Sequence, residues 1–291
     1  MQRYFRWARD ARAGVDKDCD MISLKRNNKG EFAEAKGRRV QKKSIYQAYQ
    51  TEEYRISRGK FEDFISCARC FYLDRVCGLV SPGTPGWALN SLTDDLLKKE
   101  FDVCRDQGIP HRLFAKSDLG DIVPFKHVNM DRWRDSLRHG LEFRLGGTGI
   151  LLTGGIDDLW FNQRSQEVIV VDYKSQASPY PVRTKAYLEG TYHQGYKRQL
   201  EFYAFLLTKM EFDVAKVGYF YVCNADKHAA GFYGQMNFQE TIVPYTLDIT
   251  WIPSKIEEML AVLNGKRPPE SNPACENCAY ARERSLSESE L

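Results

Sequence analysis

The run Glu167-Val168-Ile169-Val170-Val171-Asp172-Tyr173-Lys174 decides how this chain is read. Four consecutive β-branched residues make it a strand. An apolar run without alternation is a strand covered on both faces. Successive side chains point to opposite faces, so Asp172 and Lys174 share one. A carboxylate and an amine at the end of a buried strand require partners. Upstream, residues 149–162 are rich in Ile and Leu and read as a second strand. The polar link Asn162-Gln163-Arg164-Ser165-Gln166 makes the two a hairpin. A turn centred between Arg164 and Ser165 puts Asp157 opposite Asp172, with Cβ atoms roughly 4.5–5.5 Å apart.

Two carboxylates that close repel unless one is protonated or a cation sits between them. A hard divalent ion with oxygen ligands, Mg²⁺ or Mn²⁺, is the natural solution, and the backbone carbonyl of Tyr173 offers a further oxygen. Such an ion activates water and stabilises charge on a phosphoryl group. Lys174 is placed to neutralise developing charge. The chemistry expected is phosphodiester hydrolysis. The tripeptide alone is also explained by an Asp172–Lys174 salt bridge on a surface hairpin, so the flanking sequence has to support the reading.

Around the hairpin, Ser57 is an N-cap candidate for a short helix through Phe61 and Phe64. Residues 81–86 form a Pro/Gly loop. A helix spans about 87–104, with Leu89, Leu92, Leu96 and Leu97 at helical spacing and Asn90 and Asp94 on another face. A further helix is expected at 129–141. A long amphipathic helix spans 184–210, strands follow at 216–223 and 240–250, and a helix covers 252–264. On that long helix Gln199 and Tyr203 lie four residues apart and share a face.

Together these pieces resemble the PD-(D/E)XK nuclease superfamily, in particular its RecB-like exonuclease branch. Gly154-x-x-Asp157 is similar to that branch's G-x-[IV]-D motif and Asp172-Tyr173-Lys174 to its D-[YFL]-K motif. Gln199-Leu200-Glu201-Phe202-Tyr203 resembles its Q-x-x-x-Y helix. Ser57 through Leu73, including Cys67-Ala-Arg-Cys70-Phe71-Tyr72, resembles its N-terminal S-x-x-x…C-P-x-x-F-x-Y segment. The resemblance covers residues 57–280. It implies an α/β fold, with a mixed central sheet flanked by helices. It also implies Mg²⁺- or Mn²⁺-dependent cleavage of DNA, most simply exonucleolytic, in recombination, repair or defence. Gln199 then contacts the water or the scissile phosphate. The branch places a metal-binding His on its first core helix, where this chain has Asn90. That departure leaves a second reading: a catalytically inactive nuclease-fold module that binds DNA or partners within a larger complex.

Eight cysteines include two C-x-x-C pairs, Cys67/Cys70 and Cys275/Cys278, with 204 residues between the pairs. Four thiolates suit Zn²⁺ or an iron–sulfur cluster. The separation excludes a local zinc ribbon and leaves a long-range staple. Part of the RecB-like branch carries a [4Fe–4S] cluster here, with one N-terminal and three C-terminal cysteines, and the resemblance therefore places the cluster ahead of zinc. This chain has two and two.

Composition bounds the rest. Hydrophobic residues are 43% and charged residues 28%, ordinary globular values that exclude a fibrous or wholly disordered chain. No run reaches the roughly 18 apolar residues of a membrane span, and the first twenty residues lack an apolar core, so a cytoplasmic protein is expected. Residues 1–60 hold 16 Lys+Arg against 8 Asp+Glu, and the remainder 26 against 31. A basic, disordered arm over 1–54 suits a polyanion partner. The nuclease domain is expected over 55–280 and a frayed acidic tail over 281–291. There is no G-x-x-x-x-G-K-[ST] loop, so a helicase or other recombination motor is expected to be a separate protein.

Overall fold

The computed structural model describes residues 24–83 and 86–290. Along the chain run β1 (Tyr54–Ser57), α1 (Arg58–Ser66), α2 (Ala68–Arg75), α3 (Ala88–Gln107), β2 (Ile122–Pro124), α4 (Met130–Arg134), β3 (Leu141–Arg144) and β4 (Ile150–Gly154). They are followed by β5 (Asp158–Asn162), β6 (Glu167–Gln176), α5 (Thr184–Glu189), α6 (Gln194–Lys209), β7 (Val217–Ala225), β8 (Phe238–Thr246), α7 (Ile252–Leu263) and α8 (Glu276–Ser289). This is the expected α/β architecture with mixed sheets. A five-stranded sheet has the order β2-β5-β6-β7-β8, with β6 and β7 parallel and the other pairs antiparallel. A three-stranded sheet has the order β1-β4-β3.

The segment expected as one strand over 149–162 is two, and each belongs to a different sheet. The break is physical. At Gly154 a Cβ would lie 2.8 Å from the Tyr203 ring, and at Gly155 2.3 Å from Ser136 Cβ. Only glycines let the chain pass this closely and cross from one sheet to the other. The β5–β6 register is as read from sequence: Asp158 faces Val171 and Asn162 faces Glu167. Asp157 lies one step beyond the last pair, at the crossing point.

Two apolar layers enclose the larger sheet. On one face α6, with Leu200, Phe202 and Leu206, packs with α1 and α7. On the other, Phe101 of α3 packs with Phe114, Trp160, Tyr173 and Tyr221. A fully buried side chain such as Phe101 contributes about 1.5–3 kcal/mol by leaving water.

Several expectations are corrected. Helix 129–141 is only α4, followed by a turn and β3. Helix 184–210 is interrupted at Gly190. In α3 the leucine stripe faces outward: Leu89, Leu92 and Leu96 are more than half exposed. The inward face is instead Asp94, Leu97, Phe101 and Arg105, at helical spacing, carboxylate at the cleft end and apolar deeper in. The arm is not structureless to residue 54. Arg39 N donates to Gly78 O at 2.8 Å, the Arg39 guanidinium pairs with Asp74 at 2.5 Å, and Tyr46 is buried in the main core. Residues 1–23, with Cys19 and the first part of the expected arm, lie outside the described residues. The tail is helical through Ser289 as α8, with every residue exposed or half-exposed. Among the described residues no helix is long and apolar enough to cross a membrane.

Candidate active site

The carboxyl-terminal end of β6 opens into a cleft of about 560 Å³ lined by Arg58, Asn90, Asp94, Asp157, Lys174 and Gln199, among others. Asp172, on β6 two residues before Lys174, is wholly buried. Its Oδ1 accepts from Gln199 Nε2 at 2.8 Å, and its Oδ2 takes the Lys174 ammonium as an ion pair. Gln199 Nε2 also donates to Tyr203 Oη at 3.1 Å. The face shared by Gln199 and Tyr203 therefore points at Asp172, as their spacing on α6 requires. The Lys174 ammonium lies 4.7 Å from the Tyr196 ring centre, a cation–π contact.

Asp157 is fixed from two sides. Its Oδ2 accepts the Tyr173 N–H at 2.8 Å, and its backbone carbonyl accepts from Arg134 Nε at 3.2 Å. The Tyr173 carbonyl points to the same side as its N–H, since one strand residue offers both groups to one neighbour. Burial first, and then the charge of Asp172, push the Asp157 carboxyl up to about 7. Lys174 loses by burial, but Asp172 and Asp157 outweigh that and raise its pKa. Asp94 is raised by burial and by the charge of Asp157, although Lys98 pairs with its Oδ2 at 2.6 Å.

These residues fit a hard divalent cation. Asp94 Oδ1 is buried without a hydrogen-bond partner and lines the same cleft as Asp157. Two neighbouring carboxyls, one of them driven toward neutrality, are a pair that a cation would relieve. Asn90 is exposed on the cleft rim, one helical turn before Asp94, so the nearer oxygen donor on α3 is Asp94. The carboxylates do not converge as closely as the thiols described below.

The raised Asp157 pKa has a stability consequence. An unfolded Asp titrates near 3.9. The folded chain binds that proton more tightly, so the contribution is complete below about pH 4 and disappears as pH rises to about 7. Metal-free protein should lose on the order of 1–3 kcal/mol across this interval, less than the full shift because cleft water screens it. Asp157→Asn should remove the slope, and Mg²⁺ at pH 8 should restore stability to the wild type only. Parallel melting-temperature-against-pH curves for the two proteins would contradict a shared proton at this pair.

Sequence reasoning missed a buried ionic network directly behind the cleft. Asp158 is wholly buried and pairs with Arg105 and with Arg134 Nη2, the latter at 2.8 Å. Tyr173 Oη donates to Asp158 Oδ2 at 2.7 Å. Arg134 Nη1 also reaches Asp102 Oδ1 at 2.8 Å. The network ties α3, α4, β5 and β6 together around Asp157. The available signal was the second aspartate of Asp157-Asp158, directly before the apolar run Leu159-Trp160-Phe161. His193 contacts Tyr187 O through Nδ1 at 2.7 Å and stacks on Tyr196.

The two C-x-x-C pairs do meet. Cys67, Cys70, Cys275 and Cys278 form a group whose sulfurs all lie within 4.8 Å of one another, and among the described residues no other Cys/His/Asp/Glu group of three or more is that close. Cys70 Sγ is 3.5 Å from Cys275 Sγ and 3.4 Å from Cys278 Sγ, and Cys67 Sγ is 3.8 Å from Cys278 Sγ. The C-terminal segment reaches α2 through two latches: Arg69 Nη1 donates to Pro269 O at 3.2 Å, and Tyr72 Oη to Gly265 O at 3.0 Å. Burial alone would raise the Cys67 thiol, but backbone N–H groups at Cys70 and Asn272 bring it down to about 7. The donor chemistry is that of a thiolate metal site. Cys223 is buried, and Cys77 and Cys104 are half-buried, all away from this group.

Residues 55–282 match the family model of the PD-(D/E)XK nuclease superfamily. No curated protein matches the chain. Among solved structures it is similar to one named SSO0001, at 16% identity and a TM-score of 0.34, over 80% of this chain and 86% of that one. It is also similar to a "putative exonuclease" from Eubacterium rectale, at 14% identity and a TM-score of 0.39, over 78% of this chain and 87% of that one.

Proposed function

Because this chain belongs to the PD-(D/E)XK nuclease superfamily, we propose that it is a Mg²⁺- or Mn²⁺-dependent deoxyribonuclease of the RecB-like branch, acting as an exonuclease. The observation that carries this is the meeting of Asp157, Lys174 and Gln199 in one cleft, with the buried Asp172 bonded to both Gln199 and Lys174. Asp94, Asp157, Asp172 and the Tyr173 carbonyl would hold the cation. When bound, it supplies Lewis-acid stabilisation of the phosphate charge and a more acidic water. Lys174 neutralises charge that develops on the phosphate oxygens, and Asp172 keeps its ammonium aimed into the cleft. Gln199 holds Asp172 in its rotamer and is itself held by Tyr203. Tyr173 and Arg134 fix Asp157. Degradation of end-labelled single- and double-stranded DNA in Mg²⁺ or Mn²⁺ tests the reading. Release of mononucleotides or short oligonucleotides from one end is expected, and intact substrate under all conditions would overturn it.

The cysteine group is read as a structural metal site. In a tetrahedron with arms of about 2.3 Å the sulfurs stand about 3.8 Å apart. Three spacings of 3.4–3.8 Å, with all four sulfurs within 4.8 Å of one another, therefore suit a single Zn²⁺ better than a [4Fe–4S] cube, whose ligands must spread around four irons.

A further inference from the structure

β6 and β7 run parallel, with Lys174 facing Val222 and Gln176 facing Asn224. The loops that follow them therefore leave the sheet at the same end, the end where the cleft opens. The side chain of Asn224, which is buried, ties the two together. Its Oδ1 accepts the Ser178 N–H at 2.8 Å, and its Nδ2 donates to Ser178 O at 3.1 Å and Tyr180 O at 3.3 Å. His228 Nε2 meets Pro179 O at 3.0 Å from the β7–β8 side. Ala225, where β7 ends, is three residues beyond the level of Lys174, roughly 10 Å along the strand.

The β7–β8 connection, residues 226–237, is long for a hairpin, and all of it is exposed. Its tip is a tight turn. Gln235 N donates to Phe232 O at 2.8 Å, and both central residues, Tyr233 (φ 43°) and Gly234 (φ 75°), are left-handed. That is the type I′ pattern, whose first central position favours Asn, Asp or Gly. A bulky aromatic there opposes the turn's own preference. The Tyr233 ring is nonetheless 87% exposed, beside Phe232 at 69%, and Tyr180 on the tethered loop is 76% exposed. A Cβ at Gly231 would sit 2.7 Å from the Tyr233 ring, so the glycine makes room for it. Lys227 and Arg183 are exposed on the same two loops. All three aromatic residues stand out into solvent.

We propose that Phe232, Tyr233 and Tyr180 form a stacking platform for the bases of single-stranded nucleic acid entering or leaving the cleft. The proposal rests on the nuclease reading above and specifies the substrate form. Aromatic faces with flanking cations are the sequence-tolerant way to hold unpaired bases, which a duplex does not offer.

The test is anisotropy binding of fluorescent oligo-dT, and of a duplex of equal length, to the full chain in EDTA. Tyr233→Asn should weaken oligo-dT binding roughly 5- to 150-fold, the 1–3 kcal/mol of one stacked base. Tyr233→Phe should stay within about twofold, and duplex binding should change by less than about twofold in either variant. Since Asn suits the turn, the melting temperature of Tyr233→Asn should equal or exceed that of wild type, whereas a structural tyrosine would lower it. Phe232→Ala should repeat the oligo-dT loss. Wild-type affinity in Tyr233→Asn, an equal loss on duplex, or no oligo-dT binding by wild type would each overturn the platform. The last two would leave the tip as a contact for duplex backbone or for protein. If these binding changes appear but wild type cleaves nothing in Mg²⁺ or Mn²⁺, the nuclease reading fails and the platform stands.

Discussion

Asp172→Ala should abolish cleavage of end-labelled DNA while leaving a folded protein. Asp172 accepts Gln199, pairs with Lys174 and raises its neighbour Asp157, so it is the centre of the cleft's polar contacts. On the proposed reading its loss removes a cation ligand, and it frees the Lys174 ammonium to swing away. Several kcal/mol of transition-state stabilisation is at stake, which is a rate factor on the order of 10³ or more. Folding should survive because the substitution also ends the repulsion with Asp157 in the metal-free state. Lys174→Ala should be similarly inactive, and Lys174→Arg should not restore full rate, since a planar guanidinium cannot reproduce a compact ammonium against the Tyr196 ring. Gln199→Ala removes the donor that orients Asp172 and should cost less than either. Near-wild-type degradation by Asp172→Ala in Mg²⁺ would remove the site assignment.

Much of this cleft was legible because it is local. One apolar run, one short polar link and one helix periodicity place Asp157, Asp172, Lys174 and Gln199 together, and the β5–β6 register follows from turn symmetry alone. What was not legible depends on packing between distant elements. The strand break at Gly154-Gly155 exists because the Tyr203 ring and Ser136 approach the backbone there, and nothing near those glycines in sequence announces either. The inward face of α3 was not legible for the same reason. Its leucines are the stronger periodic signal, yet Asp94, Phe101 and Arg105 turn inward because the sheet offers them a cleft, an aromatic layer and Asp158. The Arg105–Asp158–Arg134 network could not be read from spacing, since its members lie on three separate elements. The cysteine pairs were visible as pairs, but only the fold closes the 204 residues between them.

That closure predicts the second large effect. Cys275→Ser should lower the melting temperature by roughly 10–20 °C. A cross-link between residues about 200 apart restricts the unfolded chain by about 5 kcal/mol in the loop-entropy model, and each kcal/mol shifts a protein of this size by roughly 2–4 °C. The ligands come from both ends of the domain, so no preformed site exists in the unfolded chain and metal affinity appears as folding stability. Chelation should reproduce the loss in wild type and add nothing in Cys275→Ser. Cys77→Ser, outside the group, should be close to neutral. Metal analysis should find one zinc per chain in colourless protein. A brown protein with iron and sulfide would replace zinc by the cluster and keep the stability argument, whereas a chain with neither metal, stable in chelator, would end it. The cleft and the cysteine group share no lining residue, so Cys275→Ser assayed well below its melting temperature should retain the nuclease activity that Asp172→Ala lacks.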